Sequence, residues 1–130
     1  MQISTRQLAD TVIATPAGRI DHQTAAQFEA VLMPLIAEAV ARQGAVVVDF
    51  SAVDYISSVG LRVLMVAARQ VRAHQAQLLV AALQSVVAEI FAISRFDHVL
   101  TVTATVEEAL ARCSAAALAQ LRDAGSAPAP

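Results

Sequence analysis

The chain opens with two runs in which apolar and polar positions alternate, Gln2 to Leu8 and Thr11 to Ala14. This period of two predicts a pair of strands with Asp10 in the turn between them. Pro16 and Gly18 then interrupt the alternation. From Thr24 the period lengthens: Phe28, Val31, Leu32, Leu35, Ile36, Ala39 and Val40 recur at steps of three and four, which places them on one face of a helix. Thr24 and Gln27 have capping-box spacing, and Gly44 is a plausible stop. Pro34 removes one backbone hydrogen bond inside this helix and should bend it outward.

The run AVVVDF, residues 45 to 50, is continuously apolar up to its acid, the pattern of a central strand covered on both faces. VDYI, residues 53 to 56, reads as a short connection. After it Leu61, Leu64, Met65, Ala68 and Val71 form a second helical stripe, and AQLLVAAL, residues 76 to 83, a further buried strand. Ser85 is placed to cap a short helix carrying Val87, Ile90 and Phe91, and HVLTVTA gives the last strand. Thr105 with Glu108 opens a final helix whose apolar face takes Val106, Ala109, Leu110, Cys113, Ala117 and Leu121.

An opening hairpin followed by alternating strands and helices predicts an α/β fold: a mixed central sheet of about five strands with about four helices packed on it. One domain over residues 1–123 is expected, the remaining 124–130 forming a disordered tail rich in Ala and Pro. Apolar residues make up 57% of the 130, but no run reaches the roughly 20 that a spanning helix needs, so the expectation is a soluble, cytoplasmic protein without membrane association. The N-terminal stretch lacks the pattern of a signal peptide. A net charge of −2 with scattered arginines gives no basis for nucleic-acid binding. Cys113 stands alone and fits a core-filling role.

The usual catalytic constellations are missing from the sequence: there is no phosphate-binding Gly-rich loop and no G-x-S-x-G elbow. His22, His74 and His98 lack metal-ligand spacing, so neither a metal nor a cofactor is expected. His22, beside Asp21, could serve as a base or cap the next helix, and Asp49 and Asp54 could hold a cation or bond turn amides. Ser57 and Ser58 are the sharpest feature. They fall where an apolar segment gives way to a helix, so one hydroxyl is expected to cap that helix, and Gly60 is expected to keep the first turn open.

The segment VVVDFSAVDYISSVGLRVL resembles the signature of STAS domains, and among them the bacterial anti-sigma factor antagonists. GRIDHQTAAQFEAVL is similar to that family's strand-to-helix segment, and SVVAEIFAISRFDHVLTV to its third helix and following strand, so the likeness covers roughly residues 1 to 112. It departs from the family at Ser57, where many members carry aspartate, at Val59, where a small hydroxyl residue is frequent, and at Arg95 and Phe96, where Gly-Leu is common.

The resemblance implies that Ser58, two residues before Gly60, is a phosphoacceptor, with Ser57 the alternative. It also implies binding to an anti-sigma serine kinase, inactivation by that kinase, and restoration by a PP2C-like phosphatase. No catalytic group of the chain's own is then required. Asp21 and Asp49 match acidic family positions and are expected at the docking surface with His22, Ser57, Ser58, Val59, Gly60 and Arg62. Arg62 and Arg69 lie off the apolar stripe as solvated charges or partner contacts. The alternative is a binding or scaffolding module that recognises a small molecule or assembles with itself. The chain is expected as a monomer or weak homodimer, the Ala-rich stretch from Ser114 to Ala124 being available to a second copy.

Overall fold

In the computed structural model, which describes residues 1–126, the first hairpin pairs β1 (Gln2–Leu8) with β2 (Thr11–Ile20). The strand β2 is longer than its alternation suggests, because it does not stop at Pro16 or Gly18. Thr11 to Ala14 pair in parallel with β3 (Ala45–Asp49), and Gly18 to Ile20 pair in parallel with β4 (Val53–Ile56). Pro16 is buried opposite Ile3 and lies between those two parallel ladders, where its missing amide interrupts neither. Gly18 adopts φ +96 at the register shift that aligns β2 with β4. A bulge of this kind needs a residue without a Cβ penalty.

The parallel sheet continues through β5 (Gln77–Ala81) and β6 (Thr101–Thr103), giving the order β1-β2-β3-β5-β6 with β4 beside β2. The mixed α/β sheet is thus the expected one, with β4 as an added strand: VDYI is no mere connection, since its buried Val53 and Ile56 and its pairing with β2 fix it as one. Four residues broken by an exposed acid carry too little pattern to signal a strand on their own.

One face of the sheet is covered by α1 (Ala25–Arg42), α2 (Ser58–Ala73) and α3 (Ser85–Ile93), the other by α4 (Val106–Cys113) and α5 (Ala115–Ser126). Alternate residues divide β3 between the faces: Val46 and Val48 join the larger core cluster and Val47 the smaller. In the larger cluster Phe28, Phe50, Phe91 and Phe96 form a chain of rings with successive centroids 6.4, 6.3 and 5.4 Å apart. These inclined ring pairs add edge-to-face attraction to the burial of large side chains.

Helix α1 runs unbroken through Pro34, which faces solvent. Its stop is Gln43, in the left-handed region at φ 54, and Gly44 serves a different need. A Cβ on Gly44 would lie 2.4 Å from the Asp10 carbonyl oxygen, so the glycine permits the close approach of two turns. The Thr24–Gln27 capping box is not made, since Gln27 Oε1 instead accepts from the N-terminal ammonium at 2.7 Å. Ser85 is the first residue of α3 rather than its cap, and the cap position falls to Gln84, which donates to the Ser51 carbonyl at 2.8 Å. Phe96 to His98 form a single 3-10 turn, leaving only Thr101 to Thr103 of the expected last strand extended.

The single final helix is two helices. Ser114 is extended at φ −161, and its Oγ donates to Asp10 Oδ1 and accepts from the Ala117 amide at 3.1 Å. That polar cap restarts the helix in a new direction across β1, where Ala117, Leu118 and Leu121 pack on the smaller cluster. The alanine-rich extension is therefore occupied by its own sheet. Helix α5 also takes in residues 124–126 of the segment expected as a tail, while residues 127–130 lie outside the described residues. Cys113 is half-buried against the same cluster, and burial pushes its thiol above the ordinary value.

Phe50 is fully buried and touches rings on both sides, so Phe50→Ala is expected to lower stability by about 3–5 kcal/mol. Urea denaturation of the two proteins measures the difference.

Candidate functional site

The two adjacent serines are positioned by the sheet. The Ser57 amide donates to the Ile20 carbonyl at 2.8 Å, which extends the β2–β4 pairing by one step before the chain turns into α2. Ser57 is extended at φ −86 and ψ 172, its Oγ accepts from the Gly60 amide at 3.3 Å, and its carbonyl accepts from the Leu61 amide at 3.0 Å. It is only 5% exposed. Ser58 has the opposite environment: it is the first residue of α2, exposed, with no protein partner for its hydroxyl among the described residues. Beside it, the first amides of the helix lack intrahelical acceptors, and the dipole presents its positive end.

Gly60 is buried, so it lies beneath the surface instead of opening it. A Cβ there would come within 2.7 Å of Ile20 Cγ2 and of Ile56 Cγ1. The glycine therefore lets the first turn of α2 press onto the ends of β2 and β4, and this contact holds Ser58 at the sheet's edge.

Asp21 shapes the neighbouring loop. Its Oδ1 accepts from the amides of Gln23 at 2.9 Å and Thr24 at 3.2 Å, and its carbonyl accepts from Ala25 at 2.8 Å. Thr24 Oγ1 donates to the Arg19 carbonyl at 2.7 Å and accepts from the Asp21 amide at 2.9 Å. The Gln23 amide foremost holds the Asp21 carboxyl below its ordinary 3.8; desolvation, next in size, opposes it, and the groups of Thr24 and then the Arg19 guanidinium add to the lowering. Arg19 Nε lies 3.7 Å from Asp21 Oδ2, and its guanidinium stacks 4.4 Å over the Tyr55 ring. Sequence reasoning missed this Arg19–Tyr55 contact, which becomes visible only once β4 is known to pair with β2.

His22 and Val59 meet across a groove of about 210 Å³ between the first turns of α1 and α2, with Glu29 on its wall. Val59 is 38% exposed there, and Arg62 is exposed one helical turn beyond Ser58. Arg69 is exposed farther along α2, and neither arginine forms an ion pair among the described residues. Asp49 is not part of this groove. It ends β3, accepts from the Ser51 amide at 2.9 Å, and lines a different cavity against α4 and α5 on the opposite face of the sheet. Asp54 is exposed on β4. No cluster of three or more His, Cys, Asp or Glu able to hold a metal lies among the described residues, and none of their helices is long and apolar enough to cross a membrane.

The family model for the STAS domain matches residues 2–109, which include every element from β1 to β6 and the start of α4. The chain belongs to the STAS domain family. Among its relatives is BtrV of Bordetella bronchiseptica, a protein named as an anti-sigma factor antagonist, 34% identical over 111 residues that cover 85% of this chain and 93% of that one. Among solved structures, the anti-sigma factor antagonist SpoIIAA in its unphosphorylated form superposes with a TM-score of 0.68 at 21% identity, covering 85% of this chain and 95% of that one. The phosphorylated form of SpoIIAA, from Bacillus, gives 0.62 at 19% identity, with coverage of 85% and 98%. These structures share the STAS fold described above.

The serine environments predict a contrast in stability. Ser57→Ala is expected to cost about 1 kcal/mol through the lost cap, while Ser58→Ala stays within about 0.5 kcal/mol of the native chain. Gly60→Ala is expected to cost about 1–3 kcal/mol through overpacking on Ile20 and Ile56. Chemical denaturation of the three variants tests the set.

Because its folded pKa is depressed, Asp21 contributes stability that is fully present above the ordinary 3.8 and lost as pH falls through the lower folded value. Asp21→Asn should therefore flatten the pH dependence of stability below about pH 4. Denaturation midpoints measured across the acid range for both proteins check the sign.

Proposed function

We propose that this STAS domain is an anti-sigma factor antagonist that binds an anti-sigma serine kinase in the cytoplasm and is released when that kinase phosphorylates Ser58. The observation that carries this reading is the opposed setting of the two serines. Ser57 is buried and committed to its cap, whereas Ser58 is exposed with a hydroxyl free of protein partners among the described residues. A kinase active site can reach only the second without unwinding α2. The antagonist names carried by BtrV and SpoIIAA, and the existence of SpoIIAA with and without phosphate, support the same reading.

The mechanism follows from charge and position. Docking uses the end of the sheet where the loop of Asp21 and His22 meets the first turn of α2, with Val59 as an apolar contact and Arg62 as a charged one. The kinase supplies ATP, magnesium and the base that takes the hydroxyl proton; Ser58 supplies the nucleophilic oxygen. The phosphate adds about −1.5 to −2 charges at neutral pH, and the helix N-terminus accommodates them. The fold is kept, and the partner loses affinity because its surface must now desolvate or oppose that charge. A PP2C-like phosphatase removes the group and restores binding.

Incubation with the cognate kinase and ATP, followed by intact mass, tests the proposal. One phosphate is expected on the native chain and on Ser57→Ala, and none on Ser58→Ala. An unmodified native chain in the presence of demonstrably active kinase would overturn it.

A further inference from the structure

On the face of the sheet opposite Ser58, a cavity of about 360 Å³ opens between β1, β2 and the end of β3 on one side and α4 and α5 on the other. Its shape is a consequence of two features already described. Asp49 ends β3 where β2 changes its parallel partner from β3 to β4, so the sheet face lacks a continuing β3 beyond that point. The break at Ser114 turns α5 back across β1, and Gln120 Oε1 fixes it there by accepting from the Ala9 amide at 2.9 Å. The ends of α4 and α5 remote from that break then stand over the cavity, and Glu107 and Arg122 approach to 4.0 Å between them.

The lining divides into an apolar part and a set of polar groups with distinct commitments. Ile13, Val106 and Leu121 supply the apolar surface. Ser4 and Thr15 stand opposite each other in the β1–β2 register, and Arg6 stands opposite Ile13. Arg6 forms no ion pair among the described residues. Asp49 Oδ1 accepts from the Ser51 amide and Oδ2 has no partner among the described residues, while Glu107 faces Arg122. The cavity thus offers a cation and hydroxyl donors together with a carboxylate acceptor, beside an apolar wall. A simple anion would gain Arg6 but face Asp49 and Glu107. A simple cation would meet the reverse conflict. A small zwitterion satisfies both charges, and the volume lies near the lower end of the range for small-molecule sites.

We propose that this cavity is a binding site for a free α-amino acid with an apolar side chain, its carboxylate held by Arg6 with the Ser4 and Thr15 hydroxyls, its ammonium by Asp49, and its side chain against Ile13, Val106 and Leu121. A planar guanidinium suits a carboxylate because it can donate two parallel hydrogen bonds. The site is separate from Ser58, since it lies across the sheet from α2 and shares with the expected docking residues only Asp49, which lines this cavity and not the groove of His22 and Val59.

Titration of the native, unphosphorylated chain with leucine, followed by amide and methyl NMR shifts, tests the proposal. Saturable shifts are expected at Ile13, Val106 and Leu121, with the Ser57–Gly60 segment unmoved. Arg6→Gln and Asp49→Asn should each weaken binding by about tenfold or more, as should replacing leucine by leucinamide or by N-acetyl-leucine. Arg6 is exposed on an edge strand, so its substitution leaves the fold testable by the same spectra. No saturable shift with leucine overturns the site. Unchanged affinity in Arg6→Gln, or N-acetyl-leucine binding as tightly as leucine, overturns the zwitterion assignment.

Discussion

The contact of Gly60 with Ile20 and Ile56 is the constraint on which both the end of the sheet and the exposed serine depend. Any side chain at residue 60 would push α2 away from the two strand ends, because the space available to a Cβ is already filled by both isoleucines. With the glycine in place, Ile20 and Ile56 are fully buried, and the Ile20 carbonyl accepts the Ser57 amide. One close approach therefore closes the core and sets the direction of the helix. Ser58 inherits its exposure from that direction, as the first residue to clear the strand ends.

The same logic explains why β2 is so long. Its two parallel partners meet it in sequence, β3 near its beginning and β4 near its end, with β1 along the other side. A strand paired on both sides can carry Pro16 where neither parallel ladder runs and Gly18 where the register shifts. Local propensity is overridden because the neighbouring strands satisfy most of the remaining backbone groups. The loop after β2 is then tied down by Asp21, whose carboxylate serves the amides ahead of α1.

How much of this was readable depended on whether a feature was local. The long helical stripes of α1 and α2 and the continuous apolar runs of β3 and β5 carry their own period, and each was legible. So was the capping of α4, where Thr105 Oγ1 accepts from the Glu108 amide at 3.1 Å. The site was legible as far as the serine pair, because a helix must be capped where it begins. Features set by distant partners were hidden. Strand β4 exists because β2 is there to pair with it, and Arg19 finds Tyr55 only through that pairing. The Ser114 break depends on Asp10, which lies more than a hundred positions earlier in the chain. Asp49 and Asp21 look alike as acids at strand ends, yet alternation along β3 sends Asp49 to the opposite face.

The departure at Ser57 can be weighed in the same physical terms. An aspartate at a cap position can also accept the Gly60 amide, so helix capping alone does not distinguish the two residues. They differ in charge. With serine there, the first turn of α2 carries no acidic residue, in contrast to α4, whose first turn holds Glu107 and Glu108. A phosphate on Ser58 would then meet the unpaired amides and the positive end of the helix dipole without a carboxylate at the adjoining position, so its own ionisation is favoured. A neutral cap thus raises the contrast between the unmodified and modified surfaces, and that contrast is what a partner docking on this turn would have to read.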